Sequence, residues 1–340
     1  MPPPIPTADL DAILAATAPL WAELRGQRLF LTGGTGFFGC WLVESFLHID
    51  RALALDARLT VLSRNPAAFL HKLPHLRSEP ALTLLAGDIR TFDFPTEPHS
   101  RILHAATDST SQTDPADLHD TIVAGTARVL AFARATGASK LLFVSSGGVY
   151  GPQPAGLTHI PEDLPPQPAT PYGRAKLEAE QLCLAAPLPI EVKIARPFAF
   201  LGPHLPLDAH FAAGNFLSDA LAPPDQARPI RIASDGLALR SYLYPSDLAS
   251  WLWTILLRGA TAHPYNVGSD QPVTILELAE TIRRTLNPAL TIEVAQPPDA
   301  TRPPHRYIPS TARARTELDL HQSVTLEDAL RRTAAWHRLK

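Results

Sequence analysis

The stretch Arg28-Leu29-Phe30-Leu31-Thr32-Gly33-Gly34-Thr35-Gly36-Phe37-Phe38-Gly39 constrains this chain more than any other. An apolar run meets a glycine-rich turn, and an apolar helical pattern follows through Trp41, Leu42, Val43 and Phe46. Strand, tight turn and helix in that order cradle a pyrophosphate. Gly33 permits the turn, Gly36 lets the backbone approach the phosphates, and Gly39 lets the helix pack close to the strand. The helix N-terminus offers N–H groups and partial positive charge to the anion. Any tight strand-to-helix turn needs glycine, but here the glycines recur every third residue in the right context, so we read a dinucleotide site.

The rest of the chain alternates in the same way. Strand-like runs lie at 28–32, 59–62, 82–86, 101–104, 140–145 and 190–195. A helical pattern over 9–24 precedes them, and others lie between them at 37–47, 67–73, 118–135 and 172–184. The strands are mostly apolar without period-two alternation, as expected when helices cover both faces of a parallel sheet. With 340 residues, 45% of them hydrophobic, the chain can bury a large core and a smaller second one. The expected fold is α/β: a Rossmann-like doubly wound parallel sheet with a smaller C-terminal α/β substrate-binding domain. Residues 1–202 would form the first domain, with 240–268 returning to it, and 203–239 and 269–340 the second. The net charge of −3 comes from well-mixed residues, so neither a nucleic acid nor a membrane surface is an expected partner. The most apolar helix-like stretch, 248–257, falls short of the roughly 20 residues of a membrane span and reads as a buried helix. Met1 to Pro6 lacks the basic flank and apolar core of a signal peptide. Cys40 and Cys183 cannot build a disulfide framework, so a cytoplasmic setting is expected. His204, His210 and His305 match no metal-ligand spacing, so no metal is expected.

A second constellation follows the fifth strand. Lys140-Leu-Leu-Phe-Val-Ser-Ser146 ends at Gly147 and Gly148, and Thr170-Pro171-Tyr172-Gly173-Arg174-Ala175-Lys176 comes later. Thr170 suits an N-cap and Pro171 the first helical position. Tyr172 and Lys176 then lie one turn apart on one helix face. A nearby ammonium and a cationic nicotinamide would lower the tyrosine below its ordinary value of about 10. That suits a general base for a hydroxyl at neutral pH. Ser146 could hydrogen-bond the same oxygen.

With these residues in view the chain resembles an extended short-chain dehydrogenase/reductase of the nucleotide-sugar epimerase/dehydratase family. The glycine turn carries the resemblance, with Gly87-Asp88-Ile89, His104-Ala105-Ala106, Ser145-Ser146, Tyr172-x-x-x-Lys176, Ala195-Arg196-Pro197-Phe198, Arg240-Ser241-Tyr242 through Asp247, and Tyr265-Asn266-Val267-Gly268. The resemblance implies that Tyr172 is the acid/base, that Lys176 orients the nicotinamide ribose and that Ser146 binds the reacting oxygen. It implies adenine contacts from Asp88 and Ile89, and further cofactor contacts from Thr35, Phe37, Phe38, Ala105, Ala106, Thr107, Ser145 and Pro197. Gly147 and Gly148 would face substrate, while Asn215, Arg240 and Arg306 would hold a nucleoside diphosphate. A homodimer built on helices 118–135 and 172–184 is the family expectation.

Three departures narrow this picture. Dehydratases and decarboxylases of the family usually carry acidic residues just after the catalytic serine or threonine, and here Gly147 and Gly148 have no side chain to hold a proton. Dehydration is therefore disfavoured, which leaves a 4-epimerase or a 4-ketoreductase on a nucleoside-diphosphate hexose. Reduction of a non-sugar carbonyl and a non-catalytic NADP sensor or scaffold are the other readings. The second strand ends Val61-Leu62-Ser63-Arg64, without the acidic residue that binds the NAD ribose, so Ser63 and Arg64 favour NADP over NAD. The interval from Gly33 to that point is long, as if 49–58 lengthened the helix–strand connection. Finally, Ile122 stands where the family commonly has asparagine, three residues before Gly125.

Overall fold

The protein is described here by a computed structural model, which covers residues 2–107, 114–186, 189–207, 211–226, 228–298 and 303–339. Helix α1 (Thr7–Thr17) opens the fold, and the pattern expected over 9–24 breaks after it. Pro19 lacks an N–H and cannot donate the next α-helical hydrogen bond, and Ala18–Leu24 is a 3₁₀ segment. Next come β1 (Arg28–Thr32), α2 (Phe37–Leu53), β2 (Arg58–Ser63), α3 (Pro66–Lys72), β3 (Leu82–Ala86), β4 (Arg101–His104), α4 (Pro115–Thr136), β5 (Lys140–Val144), α5 (Pro171–Ala185) and β6 (Glu191–Pro197). The long interval after Gly33 lies in the helix, not in the connection as expected. Helix α2 runs unbroken to Leu53 and ends in the left-handed conformation at Ala54.

The later elements are α6 (Ala212–Leu221), β7 (Ile230–Ile232), β8 (Leu239–Arg240), α7 (Pro245–Arg258), β9 (Pro264–Val267), β10 (Val273–Thr274), α8 (Ile275–Leu286), β11 (Ile292–Val294), α9 (Ala312–Leu318) and α10 (Leu326–His337). Seven strands form one parallel sheet in the order β3-β2-β1-β4-β5-β6-β9. The expected doubly wound sheet is therefore present. Its order reverses between β1 and β4, and the crevice at the carboxyl ends there is where such sheets bind ligands. Two small ladders, β8 with β10 and β7 with β11, lie apart from it.

Strand alternation assigns the two faces. Leu29 and Leu31 belong to one hydrophobic cluster and Phe30 to another. On the first face α1, α2 and α7 pack together, and α7 is buried from Pro245 to Leu257. That accounts for its apolar composition. Trp21 meets Trp253 edge-on at 5.1 Å. Trp253 Nε1 donates to Ser45 Oγ at 3.0 Å, and Trp41 Nε1 donates to the Pro203 carbonyl at 3.0 Å. On the second face α4 and α5 cover Phe30 and Phe143, with Phe132 of α4 packed among them. The buried Asp247 of α7 accepts from Ser323 N at 3.0 Å and Val324 N at 3.2 Å, which ties the C-terminal segment to the sheet layer. Among the described residues no helix is long and apolar enough to cross a membrane.

A buried histidine pins the switch point. Thr126 Oγ1 donates to the Ile122 carbonyl at 2.6 Å, so it accepts from His104 Nε2–H at 3.0 Å. His104 Nδ1 then accepts from Thr32 Oγ1 at 2.7 Å, and Thr32 Oγ1 accepts from Ala106 N at 3.1 Å. Every site in this chain is filled only if the imidazole is neutral. Burial, and secondarily the Lys176 charge, hold the His104 pKa down to about 3. The unfolded chain binds a proton here below about pH 6.5 and the folded chain does not, so stability falls as pH falls. We predict that His104→Gln removes an acid-side slope of up to about 1.4 kcal/mol per pH unit between about pH 6 and 4. Urea midpoints measured across that range check this, and parallel curves for the two proteins would contradict it.

Candidate active site

The β1–α2 turn is shaped by missing side chains. Gly33 has φ +75°, and a Cβ there would stand 2.5 Å from the Ala105 carbonyl carbon. A Cβ on Gly39 would penetrate the backbone of Gly33 and Gly34. At Gly36, by contrast, a Cβ would meet only the Gly33 oxygen, at 3.5 Å, so the space above the helix start is open. Helix α2 begins with no side-chain cap, which leaves first-turn N–H groups for an anion. An open cradle lined by uncapped N–H groups fits a dinucleotide pyrophosphate. Thr35, Phe37 and Phe38 border it, and Phe38 packs edge-on to Phe200 at 4.9 Å. Ala105 and Ala106 lie against the turn through Ala105 N to Thr32 O at 3.2 Å.

At the other end of this crevice Ser63 closes β2 and is buried, with its Oγ accepting from Asn65 N at 3.2 Å. Arg64 follows it on the surface, and Ile89 is buried against Gly125 of α4. Asp88 holds the Arg90 guanidinium with both oxygens, at 2.8 and 3.0 Å, and this pairing keeps its carboxyl below the usual range. Arg90 continues to Asp117 at 2.7 Å. Ile122, in the place of the family's asparagine, is buried in the second-face core.

Ser146, Tyr172 and Lys176 come together because α5 starts on the turn after β5. Thr170 accepts from Gly173 N at 3.0 Å and Pro171 occupies the first helical position, as the sequence implies. A Cβ on Gly173 would lie 2.5 Å from the Gly148 oxygen, so the helix rests directly on the 147–150 turn. Ser146 caps that turn by accepting from Gly148 N at 3.0 Å. Lys176 is 1% exposed, and its Nζ donates to the Val144 carbonyl at 2.9 Å, 5.8 Å from the Tyr172 ring. Burial lowers its pKa to about 8, and the Glu180 charge opposes that shift. The expected lowering of Tyr172 is not seen in the protein alone. Burial raises this phenol, and hydrogen bonds from Ser146 and Thr107 only partly offset it. Lys176 has turned to the Val144 carbonyl, so desolvation wins.

Behind these residues lies a buried network that the motifs do not announce. Glu180, one turn beyond Lys176, receives Arg196 through Nε to Oε1 at 3.0 Å and Nη2 to Oε2 at 2.6 Å. Ser145 Oγ donates to the same carboxylate. Arg196 Nη1 reaches Tyr150 Oη at 2.9 Å, which donates to Asn266 Oδ1 at 2.9 Å. The helical spacing of Tyr172, Lys176 and Glu180 on one face was the available signal for Glu180. Pro197, the next residue on β6, is buried beside the same strand ends.

Arg240 and Arg306 lie on adjacent segments, but strand alternation sends them to opposite faces, Arg306 with Leu239 and Arg240 with His305, so the expected pairing of the two guanidiniums is not formed. Leu239 bridges Arg306 in parallel, and Arg240 Nη1 lies 3.3 Å from His305 Nδ1. Asn215 sits in the first turn of α6, half-buried, and no hydrogen bond joins it to either arginine among the described residues. Gly147 and Gly148 lie beside Ser146 and Tyr172, and a Cβ on Gly148 would stand 3.2 Å from Ser146 Oγ. A Cβ on Gly147 would stand 2.5 Å from Tyr307 Oη and 2.8 Å from the Phe198 ring. Tyr307 carries no motif, and only the two consecutive glycines hint that another side chain must fill the gap. His210 lies outside the described residues. Among those described, no group of three His, Cys, Asp or Glu side chains could hold a metal ion.

Comparison with known proteins agrees with this fold. The sequence model of the NAD-dependent epimerase/dehydratase family matches residues 29–268. UDP-glucuronic acid decarboxylase 1 of Arabidopsis thaliana is 29% identical over 327 residues, covering 92% of this chain and 70% of that protein. Among solved structures, UDP-glucose 4-epimerase of Thermotoga maritima with UDP-glucose superposes with TM-score 0.76 at 20% identity, over 92% of this chain and 99% of that one. RMD of Pseudomonas aeruginosa complexed with NADPH gives TM-score 0.72 at 25% identity, over 92% and 100%.

The ion pair behind the site generates a stability prediction. Glu180 and Arg196 are 2% and 5% exposed, so removing one strands the other's charge away from water. Glu180→Ala should cost about 3–5 kcal/mol in urea unfolding, and Glu180→Ala with Arg196→Met should recover most of it. Equal losses in the single and double variants would show that the pair is not the source.

Proposed function

This chain belongs to the NAD-dependent epimerase/dehydratase family, and on that premise we propose that it is an NAD(P)-dependent nucleoside-diphosphate-sugar epimerase working at the sugar 4-position. One observation carries the reading: Tyr172 and Ser146 meet at the crevice beside the glycine turn, with Gly147 and Gly148 bare of acids. A bound oxidised nicotinamide would accept the hydride from the sugar carbon and return it to the opposite face. Tyr172 takes the hydroxyl proton and returns it, Ser146 donates to the reacting oxygen, and Lys176 holds the nicotinamide ribose. Thr35, Gly36, Phe37 and Phe38 bound the pyrophosphate, with Ala105, Ala106, Thr107, Ser145 and Pro197 along the cofactor. Asp88 and Ile89 flank the adenine, and Ser63 with Arg64 favours NADP. Arg240 grips the substrate diphosphate, since a guanidinium donates in pairs, and Asn215 assists it from α6. A cytoplasmic homodimer through α4 and α5 completes the proposal.

Two further readings share this machinery. A 4-ketoreductase would use only the returning half of the reaction. A decarboxylase is favoured by the identity to the Arabidopsis protein, while the bare positions 147 and 148 favour chemistry confined to one carbon. The nucleotide released on denaturing the purified protein, and the mass of the product from nucleotide sugars, distinguish them. An epimerase retains stoichiometric cofactor and gives a product of unchanged mass. A ketoreductase consumes added NADPH and gives a product two hydrogens heavier, and a decarboxylase gives one lighter by carbon dioxide. We predict that Tyr172→Phe lowers kcat about 10²–10⁴-fold while leaving the nucleotide content unchanged. Full turnover in that variant would remove Tyr172 from the proposed role.

A further inference from the structure

The segment 305–310 crosses the site as a strap fixed on both sides. Leu239 N donates to the His305 carbonyl at 2.8 Å and Tyr307 N to the Leu239 carbonyl at 3.2 Å. Beyond the tyrosine, Ile308 N donates to Gln153 Oε1 at 3.0 Å and Ile160 N to the Ile308 carbonyl at 2.8 Å. The Tyr307 ring lies on Phe198 with centroids 4.6 Å apart. So held, its hydroxyl occupies the volume that a side chain at 147 would need, 2.5 Å from the Cβ position.

Ser146 is the neighbour that this hydroxyl can serve. A serine hydroxyl has one proton and two lone pairs. Gly148 N–H takes one lone pair at 3.0 Å. If Tyr307 O–H takes the other, the serine proton is left for Tyr172 and for an oxygen between them. We infer that Tyr307 is a positioning residue: its hydroxyl donates to Ser146 Oγ, aims the Ser146 proton at the Tyr172 side, and excludes an acidic side chain from position 147. The inference rests on the reading of Tyr172 as the acid/base. Burial pushes the Tyr307 phenol up, with the neighbouring Tyr172 adding to the shift, so Tyr307 keeps the proton it donates. The other titratable and charged groups around the two phenols are Lys176 on α5, Arg240 on β8 and Tyr150 beyond Phe198.

Tyr307→Phe deletes one oxygen and keeps the ring on Phe198, so the fold survives the test. Phenolate absorbance is followed against pH in protein saturated with NAD⁺ or NADP⁺, whichever binds more tightly. The step lost in Tyr172→Phe identifies the Tyr172 transition. Without the Tyr307 donor, Ser146 stabilises phenolate less well, so Tyr307→Phe should hinder proton release from Tyr172 by up to about tenfold and move its midpoint to higher pH. In a Ser146→Ala background the same change should do nothing, since the pathway is already cut. An unmoved midpoint in Tyr307→Phe, or an equal shift with Ser146 absent, overturns the inference. Failure of the wild-type protein to turn over any nucleotide sugar, with the Ser146-dependent shift intact, would instead count against the proposed function alone.

Discussion

The close approach of three backbone segments at the sheet's switch point is the constraint on which the rest of the molecule depends. Gly39 lies directly on Gly33 and Gly34, and Gly33, in the left-handed region, lies directly on Ala105. A Cβ at Gly33 or Gly39 would move whole elements, because the neighbouring atoms are backbone and not the ends of flexible side chains. The same contact brings the Thr32 hydroxyl to His104 and to Ala106 N, so the polar groups under the turn are satisfied internally. With α2, β1 and the 105–107 segment fixed to one another, the N–H groups of the turn and the carboxyl ends of β4 and β5 keep a set geometry.

Local patterning made most of this legible. Apolar runs bounded by glycine and proline marked the strands, and the spacing of Tyr172 and Lys176 placed them on one face of α5. Where the sequence misled, the reason is also local. Pro19 ends α1 early, and the interval after Gly33 is taken up by an extra stretch of helix, which periodicity around Leu47 does not distinguish from a connection. What stayed hidden depends on contacts distant in sequence. Tyr307 reaches Gly147 only because β8 and Ile160 hold its strap from two sides. Arg196 stood inside a recognisable motif, yet its partner Glu180 is named by three-dimensional packing and not by any spacing between the two.

That buried pair also clarifies the electrostatics around Lys176. An isolated carboxylate one turn away would draw the ammonium and hold it. Here Glu180 has both oxygens engaged by Arg196 and a further donor in Ser145. Its field still opposes the desolvation of Lys176, but the amine points to the Val144 carbonyl instead. The result is a lysine whose position is set by a strand end. A lysine bonded to the carboxylate would be pinned away from the crevice.

Gly147 and Tyr307 show how one volume determines the range of chemistry. If residue 147 carried a carboxylate, the site would hold a second ionisable group within reach of the reacting carbon's neighbour, and proton removal there would become possible. The strap instead delivers a phenol whose proton is held tightly by burial. A group of that kind can orient a hydroxyl or donate to an oxygen. The Phe198 ring lies against the Tyr307 ring, with centroids 4.6 Å apart. In the proposed reaction, proton traffic would then run through Tyr172 and Ser146, on one side of the sugar, which is the distribution required for oxidation and reduction at one carbon.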